Sequence, residues 1–371
     1  MSRLAGLGWG PDFSGQVEAA RDAGLVPARV MADLGVRLRV GLEDPPAAAP
    51  AAGATARAAG PGPASALGSD RLAMLPLSLR GEAVVGDWVL CELLTGGEAV
   101  LRRVLKRRSA LSRQAAGDST QRQFLAANVD RVLVVQGLDG DANPRRLERT
   151  LAAVRASGAV PSILLTKADL HPDPEGARRD VEAMAPGVPV VFLAAKRGMG
   201  IEAVRALIAP AETAVLVGSS GAGKSTLLNA LLGAEVAATG ELTVNGRGRH
   251  VTSHRQLFLL PGGGLLVDGP GIRELQLWEG EGVAPTFDDI AVLAAGCRFS
   301  DCRHEAEPFC KVLAAVEDGT LAPERLASFH KLAAEGAALA ARHEEAARVT
   351  AHREARAAQR ALLDVPKYRR R

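Results

Sequence analysis

Long hydrophobic runs are missing from this 371-residue chain. None approaches the roughly 18 to 20 apolar residues that cross a bilayer, so no membrane span is expected. The first twenty residues hold no continuous apolar core followed by a cleavage-type site, so no secretory signal is expected and the expected compartment is the cytoplasm. Cysteine is scarce, four in all, and thiols stay reduced in that compartment, which favours metal binding over disulfides. Aromatics stand at 3%, beside abundant Ala, Arg and Gly, a usage that carries no mechanism of its own. A large charge of one sign is lacking too: the net is +3, and only local excess can matter for polyanions. Residues 101–113, "LRRVLKRRSALSR", hold six bases (Arg102, Arg103, Lys106, Arg107, Arg108 and Arg113) and no acid, and residues 342–371 hold nine bases against four acids. Either stretch can be a solvated face or a phosphate contact.

What is present suggests two or three domains. Residues 45–69 form a Pro/Ala/Gly segment with too few large apolar side chains to offset ordering, and it reads as a flexible loop. Around it, "ARVMADLGVRLRV", "RLAMLPLSLRG" and "EAVVGDWVLCELL" read as short strands with glycine turns, which predicts a small barrel, OB-like or SH3-like. Cys91, within the last of these, reads as a small buried hydrophobe. From Asn128 onward, apolar runs alternate with helical periodicity, the pattern of a parallel α/β sheet with crossover helices. An Ala/Arg/His-rich helix is expected from about Pro323 to Leu363, with His330, His343 and His352 as ordinary surface residues, as is His171.

The segment Gly218-Ser219-Ser220-Gly221-Ala222-Gly223-Lys224-Ser225 fits the phosphate-loop pattern between a strand and a helix. Glycines let backbone N–H groups face phosphates, Lys224 meets the β- and γ-phosphates, and Ser225 coordinates Mg²⁺. Asp268 ends an apolar strand and Gly271 follows it, as a Mg²⁺-linked carboxylate and a γ-phosphate sensor would. The polar stretch between the phosphate loop and Asp268 suits a switch loop, in which Thr252, chosen over Thr243 for its nearness to the next strand, completes the Mg²⁺ shell. Thr166-Lys167-Ala168-Asp169 follows another strand, and the Asp169 carboxylate can accept both the N1 and N2 hydrogens of guanine. Thr166 stands where GTPases mostly have Asn; its hydroxyl can still hold neighbouring loops together. Ala194-Ala195-Lys196 resembles a guanine loop, with the Ala195 N–H meeting guanine O6. The base-reading loops thus precede the phosphate loop, a circular permutation of the usual order.

Cys297, Cys302, His304 and Cys310 lie within fourteen residues, and three thiolates with one imidazole make a closed, structural Zn²⁺ site. The fold class expected is therefore multidomain: an N-terminal OB-like β-barrel, a central circularly permuted α/β P-loop GTPase domain, and a C-terminal helical zinc-binding domain. The expected boundaries are an extension over 1–26, the barrel over 27–110, the GTPase over 111–276, and the zinc and helical part with its basic tail over 277–371.

With "GRGRHVTSHRQL", "DGPGIREL" and "CRFSDCRHEAEPFC" added, the chain resembles the small-subunit ribosome biogenesis GTPases of the RsgA (YjeQ/EngC) family from roughly Ala28 to Phe329. The resemblance implies an OB-fold, GTP hydrolysis to GDP stimulated by the 30S subunit late in its maturation, contact with 16S rRNA, and one zinc per chain. It makes residues from Gly218 to Thr226 the phosphate loop, and His250 the family's switch histidine. Ile272 stands where Ras-like enzymes orient water with Gln, so His250 is the candidate for that task beside Lys224 and Thr252. Val251 and Ser253 depart from the family's usual text, as do Thr166 and Ala194. A monomer that touches no membrane is expected. The rival readings are a P-loop metabolite kinase, which would have no use for the TKAD loop, and a nonenzymatic zinc-and-barrel RNA-binding protein.

Overall fold

The structure is a computed structural model describing residues 2–17, 24–43, 70–115, 118–139, 143–234, 255–268 and 283–363. The Pro/Ala-rich loop and the candidates His250, Thr252 and Gly271 fall outside these residues. The chain divides into two compact units, residues 1–113 with 123–276, and residues 114–122 with 277–371.

The first unit holds the barrel. Its strands are β1 (Val26–Asp33), β2 (Arg37–Gly41), β3 (Asp70–Met74), β4 (Trp88–Leu93) and β5 (Ala99–Val104). They pair in the order β1-β2-β3-β5-β4, and β4 returns to β1 to close the ring. All pairs are antiparallel except β3 with β5, an OB-type arrangement. Alternate residues face inward, so Val30, Leu38, Val40, Ala73, Val89, Cys91 and Leu101 fill the interior. Cys91 is buried as expected, and burial pushes its thiol up to about 12, which keeps it protonated. Two short helices, α1 (Arg3–Gly6) and α2 (Pro11–Ser14), precede the barrel. Between and within them Trp9 and Phe13 pack on buried Trp88, ring centroids 4.7 and 5.7 Å away. A separate hairpin of β6 (Ala110–Ala115) and β7 (Asp118–Ala127) follows.

The nucleotide-type sheet comprises β8 (Arg131–Gly137), β9 (Val160–Thr166), β10 (Val190–Leu193), β11 (Thr213–Val217), β12 (Gln256–Leu259) and β13 (Leu265–Asp268). Its order is β10-β9-β8-β11-β13-β12, parallel throughout except β12. Two helices cover each face. α3 (Pro144–Ala156) and α4 (Pro174–Met184) start at Asn143 and Asp173, whose side chains cap backbone N–H groups, each followed by proline at the first helical position. Their apolar faces meet Val132, Val134, Ile163, Val215 and Val217. α5 (Ile201–Ala206) and α6 (Lys224–Leu232) meet the intervening residues Leu133, Val135, Leu164 and Leu216 on the other side. Each strand is thus apolar on both faces, which is why these segments read as continuous runs rather than alternating ones.

Barrel and sheet are continuous: β1 pairs with β12 at Ala32 and Gln256. A fully buried Arg29 ties them further. Its guanidinium donates to the carbonyls of Leu7, Gly86 and Asn128 and, at 2.8 Å, to Thr213 Oγ1 at the start of β11, while lying over Trp88. Burial lowers it to about 10, still charged at neutral pH, and four acceptors replace the water it has lost.

The second unit contains α7 (Val283–Thr286), α8 (Asp288–Ala294), α9 (Lys311–Glu317) and α10 (Pro323–Leu363). Its small core gathers Phe287, Ile290, Val312, Ala315, Leu321, Leu326 and Leu332. Phe329 packs edge-on to Phe287 at 5.6 Å, and Arg325 grips Asp289 through two hydrogen bonds of 2.5 and 2.8 Å. No side chain between 341 and 356 on α10 is buried.

Candidate nucleotide site and zinc centre

The phosphate-loop residues leave β11 at Gly218 and enter α6 at Lys224. Gly218 has no substitute: a Cβ there would sit 2.2 Å from the Val135 carbonyl of β8. Gly223 turns the loop into the helix at φ +94°, a left-handed conformation that L side chains rarely adopt. Leu227, Leu228 and Leu231 bury the far side of α6, so the helix N-terminus, with its positive dipole end, is fixed beside the loop. The Lys224 ammonium donates to the Gly218 carbonyl at 2.7 Å and to that of Ser219. Ser220 and Ser225 are exposed, Ala222 is buried, and Ser219, Gly221 and Thr226 complete the segment.

The base-reading candidates come to the same edge, the carboxyl ends of the parallel strands, where open α/β sheets bind ligands. Thr166, buried at the end of β9, donates from Oγ1 to the Ala222 carbonyl at 2.6 Å and lies 3.2 Å from the Gln136 carbonyl. The hydroxyl thus joins the base loop to the phosphate loop. Lys167 follows at φ +57° and pairs with Asp139, which extends from the end of β8. Asp169 pairs with Arg197 across 3.1 Å, linking it to the loop of Ala195 and Lys196. That loop is pinched shut by a bridge between Ala194 and Met199. Asp268 ends β13, whose Val267 lies beside Val215 of β11. The sequence reading missed Arg197 and Asp139, since ion-pair partners across loops leave no spacing signal.

Counted from the phosphate-loop strand β11, the sheet reads 6-5-4-1-3-2, with strands 4 to 6 supplied by chain that precedes it. Such a sheet, with a phosphate-loop segment and the two candidate base-reading loops at one edge, defines a circularly permuted P-loop GTPase.

The comparisons narrow that class. A family profile described as RsgA GTPase matches residues 104–278. The small ribosomal subunit biogenesis GTPase RsgA of Syntrophotalea carbinolica is 41% identical over 365 residues, covering 94% of this chain and 93% of that one. Its counterpart in Opitutus terrae is 51% identical over 270 residues, 70% of this chain and 74% of that one. The crystal structure of YjeQ from Thermotoga maritima matches with a TM-score of 0.60 at 25% identity, over 84% of this chain and 98% of that one. The chain belongs to the RsgA family of GTP-hydrolysing enzymes.

In the second unit, the ligand atoms of Cys297, Cys302, His304 and Cys310 all lie within 4.8 Å of one another. Cys297 Sγ is 3.8 Å from Cys310 Sγ, and His304 Nδ1 is 3.7 and 3.4 Å from these two sulfurs. Zinc bonded to thiolates at about 2.3 Å holds them about 3.8 Å apart at the corners of a tetrahedron, so the cluster fits zinc. The N–H groups of Lys311 and Leu313 point at Cys297 and Cys310 sulfurs, each at 3.4 Å, and support thiolate charge. Burial lowers the His304 imidazole, against the nearby Glu307 charge, and keeps it in the neutral form that binds metal. His330, expected as an ordinary surface residue, instead donates from Nε2 to the Arg303 carbonyl at 3.0 Å and so braces the zinc loop.

The basic stretch over 101–113 is largely committed within the unit. Arg102 pairs with Glu92, Arg107 forks onto the buried Asp87 carboxylate at 2.7 and 2.8 Å, Arg108 pairs with Asp130, and Arg103 donates to the Gln16 carbonyl. Among the described residues, no helix is long and apolar enough to cross a membrane.

Proposed function

We propose that this GTPase acts on the small ribosomal subunit, binding its 16S rRNA as a cytoplasmic monomer and hydrolysing GTP faster when the subunit is bound. One observation carries the reading: an identity of 41% to a small ribosomal subunit biogenesis GTPase runs through nearly the whole chain, barrel and zinc loop included. The segments 1–26, 27–110, 111–276 and 277–371 serve as extension, barrel, GTPase and zinc module.

In this reading Gly218, Ser219, Ser220, Gly221, Ala222, Gly223 and Thr226 wrap the phosphates with backbone N–H groups, and Lys224 exchanges its loop carbonyls for the β- and γ-phosphates. Asp169 accepts the two guanine hydrogens, and the Ala195 N–H meets O6, with Thr166, Lys167 and Lys196 shaping that pocket. Ser225, Thr252 and Asp268 hold Mg²⁺, which when bound neutralises charge on the phosphate oxygens. Gly271 senses the γ-phosphate, and His250 orients the attacking water. Cys297, Cys302, His304 and Cys310 hold one zinc that folds the C-terminal loop. The tail over 342–371 makes phosphate contacts that weaken with salt.

Hydrolysis of GTP and ATP with and without purified 30S subunits tests the reading. GTP turnover stimulated by the subunit is expected; preference for ATP, or no response to the subunit, overturns it. Full subunit-stimulated turnover in His250→Ala removes that side chain from its role.

A further inference from the structure

Of the eight phenylalanines in the chain, two are exposed, and both sit in the zinc loop around one arginine. Phe299 is 42% and Phe309 70% exposed, and the Arg298 guanidinium lies 5.8 and 5.1 Å from their ring centroids. Phe309 also holds φ +63°, a conformation costly for a bulky side chain, immediately before the ligand Cys310. The loop therefore keeps an aromatic ring in water at a strained backbone position, with no contribution to the core from that ring.

We propose that Phe299, Arg298 and Phe309 form a stacking platform for one unpaired RNA base. This rests on the 16S rRNA reading above. A flat guanidinium beside two exposed rings offers π faces and a positive centre, which suits any nucleobase and selects little among them. Arg303 and Lys311 are exposed on the same loop and complement the phosphates on either side of the base. Residues 297–311 carry three bases and three acids, so the loop is no general trap for polyanions. One of the acids, Glu307, is occupied in accepting the N–H groups of Arg303, Glu305 and Ala306. Recognition therefore comes from stacking, and binding of a base here depends weakly on salt. A duplex, whose bases are already stacked, does not fit.

The test uses the zinc-loaded full chain and a short oligoadenylate, single-stranded or annealed to oligouridylate. Phe309→Gly removes the ring and relieves the backbone; it keeps its zinc and binds the single strand roughly tenfold more weakly, with an unchanged slope of affinity against salt. Phe309→Tyr restores binding, and Phe299→Ala reports the same loss should Phe309→Gly release zinc. Equal binding by wild type and both ring-deleted variants overturns the proposal, as does equal binding of duplex and single strand. Loss of binding toward the whole 30S subunit alone, with the oligonucleotide unaffected, assigns the rings to a protein contact and also overturns it. A failure of the ribosomal reading shows separately, as wild-type GTP hydrolysis that ignores the subunit.

Discussion

Gly218 and Gly223 curve between strands and a helix whose side chains fill a core on each face of a sheet, whereas the chain from Cys297 to Cys310 curves over a handful of buried residues. In the first case the scaffold is hydrophobic and the loop is tuned by hydrogen bonds such as Thr166 to Ala222. In the second, left-handed backbone at His304 and Phe309 sits among four side chains whose spacing fits a metal. A loop on a large core can afford to lose one contact and shift; a loop that lacks one depends on its metal for shape.

The sharpest break of that contrast is zinc removal. Chelation, or Cys310→Ser, is expected to abolish protease resistance over 283–340 while GDP binding persists, as read by limited digestion and fluorescent-nucleotide titration. Equal loss of both would deny the independence of the two regions. Next in size, Lys224→Ala lowers GTP turnover at least about a hundredfold without unfolding the sheet, checked by single-turnover kinetics and thermal melting. Thr166→Val leaves the Ala222 carbonyl short of its donor and weakens GDP and GTP alike by about tenfold, measured by titration calorimetry. Arg197→Ala removes an ion pair that is mostly in water, so guanine nucleotide affinity falls only about two- to threefold. The smallest effect concerns acid. Asp289 is raised by burial but lowered further by its hydrogen bonds and charge contact with Arg325, leaving it below the usual carboxylate range. A depressed carboxylate stabilises the fold above its unfolded value, near pH 3.8, and that stabilisation is lost as pH falls through the folded value. Asp289→Asn therefore flattens the acid limb of the second unit's melting profile.

Much of this was legible because chemistry and backbone coincide. A phosphate loop needs a strand before it and a helix after it, and "TAVLVG" and the Leu227, Leu228, Leu231 pattern supplied both. The permuted order followed from motif positions alone, and cysteine spacing predicted the zinc cluster because four ligands must converge. The Thr166 hydroxyl, expected to hold neighbouring loops together, does so by donating to the Ala222 carbonyl. What stayed hidden were partnerships across the chain. The six bases over 101–113 look alike in sequence, yet Arg107 spends its charge on a buried carboxylate. The acceptors of the Arg29 guanidinium, at Leu7, Gly86, Asn128 and Thr213, come from four separate segments.

The position of β8 between β9 and β11 also governs how the protein is made. Synthesis delivers β8, β9 and β10 first, with Asp169, and only later β11 with the phosphate loop. Through that interval one long side of β8 is an open hydrogen-bonding edge flanked by Val132, Leu133, Val134 and Val135. An edge of this kind invites pairing with other chains until its own partner arrives. Reordering the motifs therefore exchanges an early phosphate loop for a nascent chain that must be shielded longest along the strand that becomes the centre of its sheet.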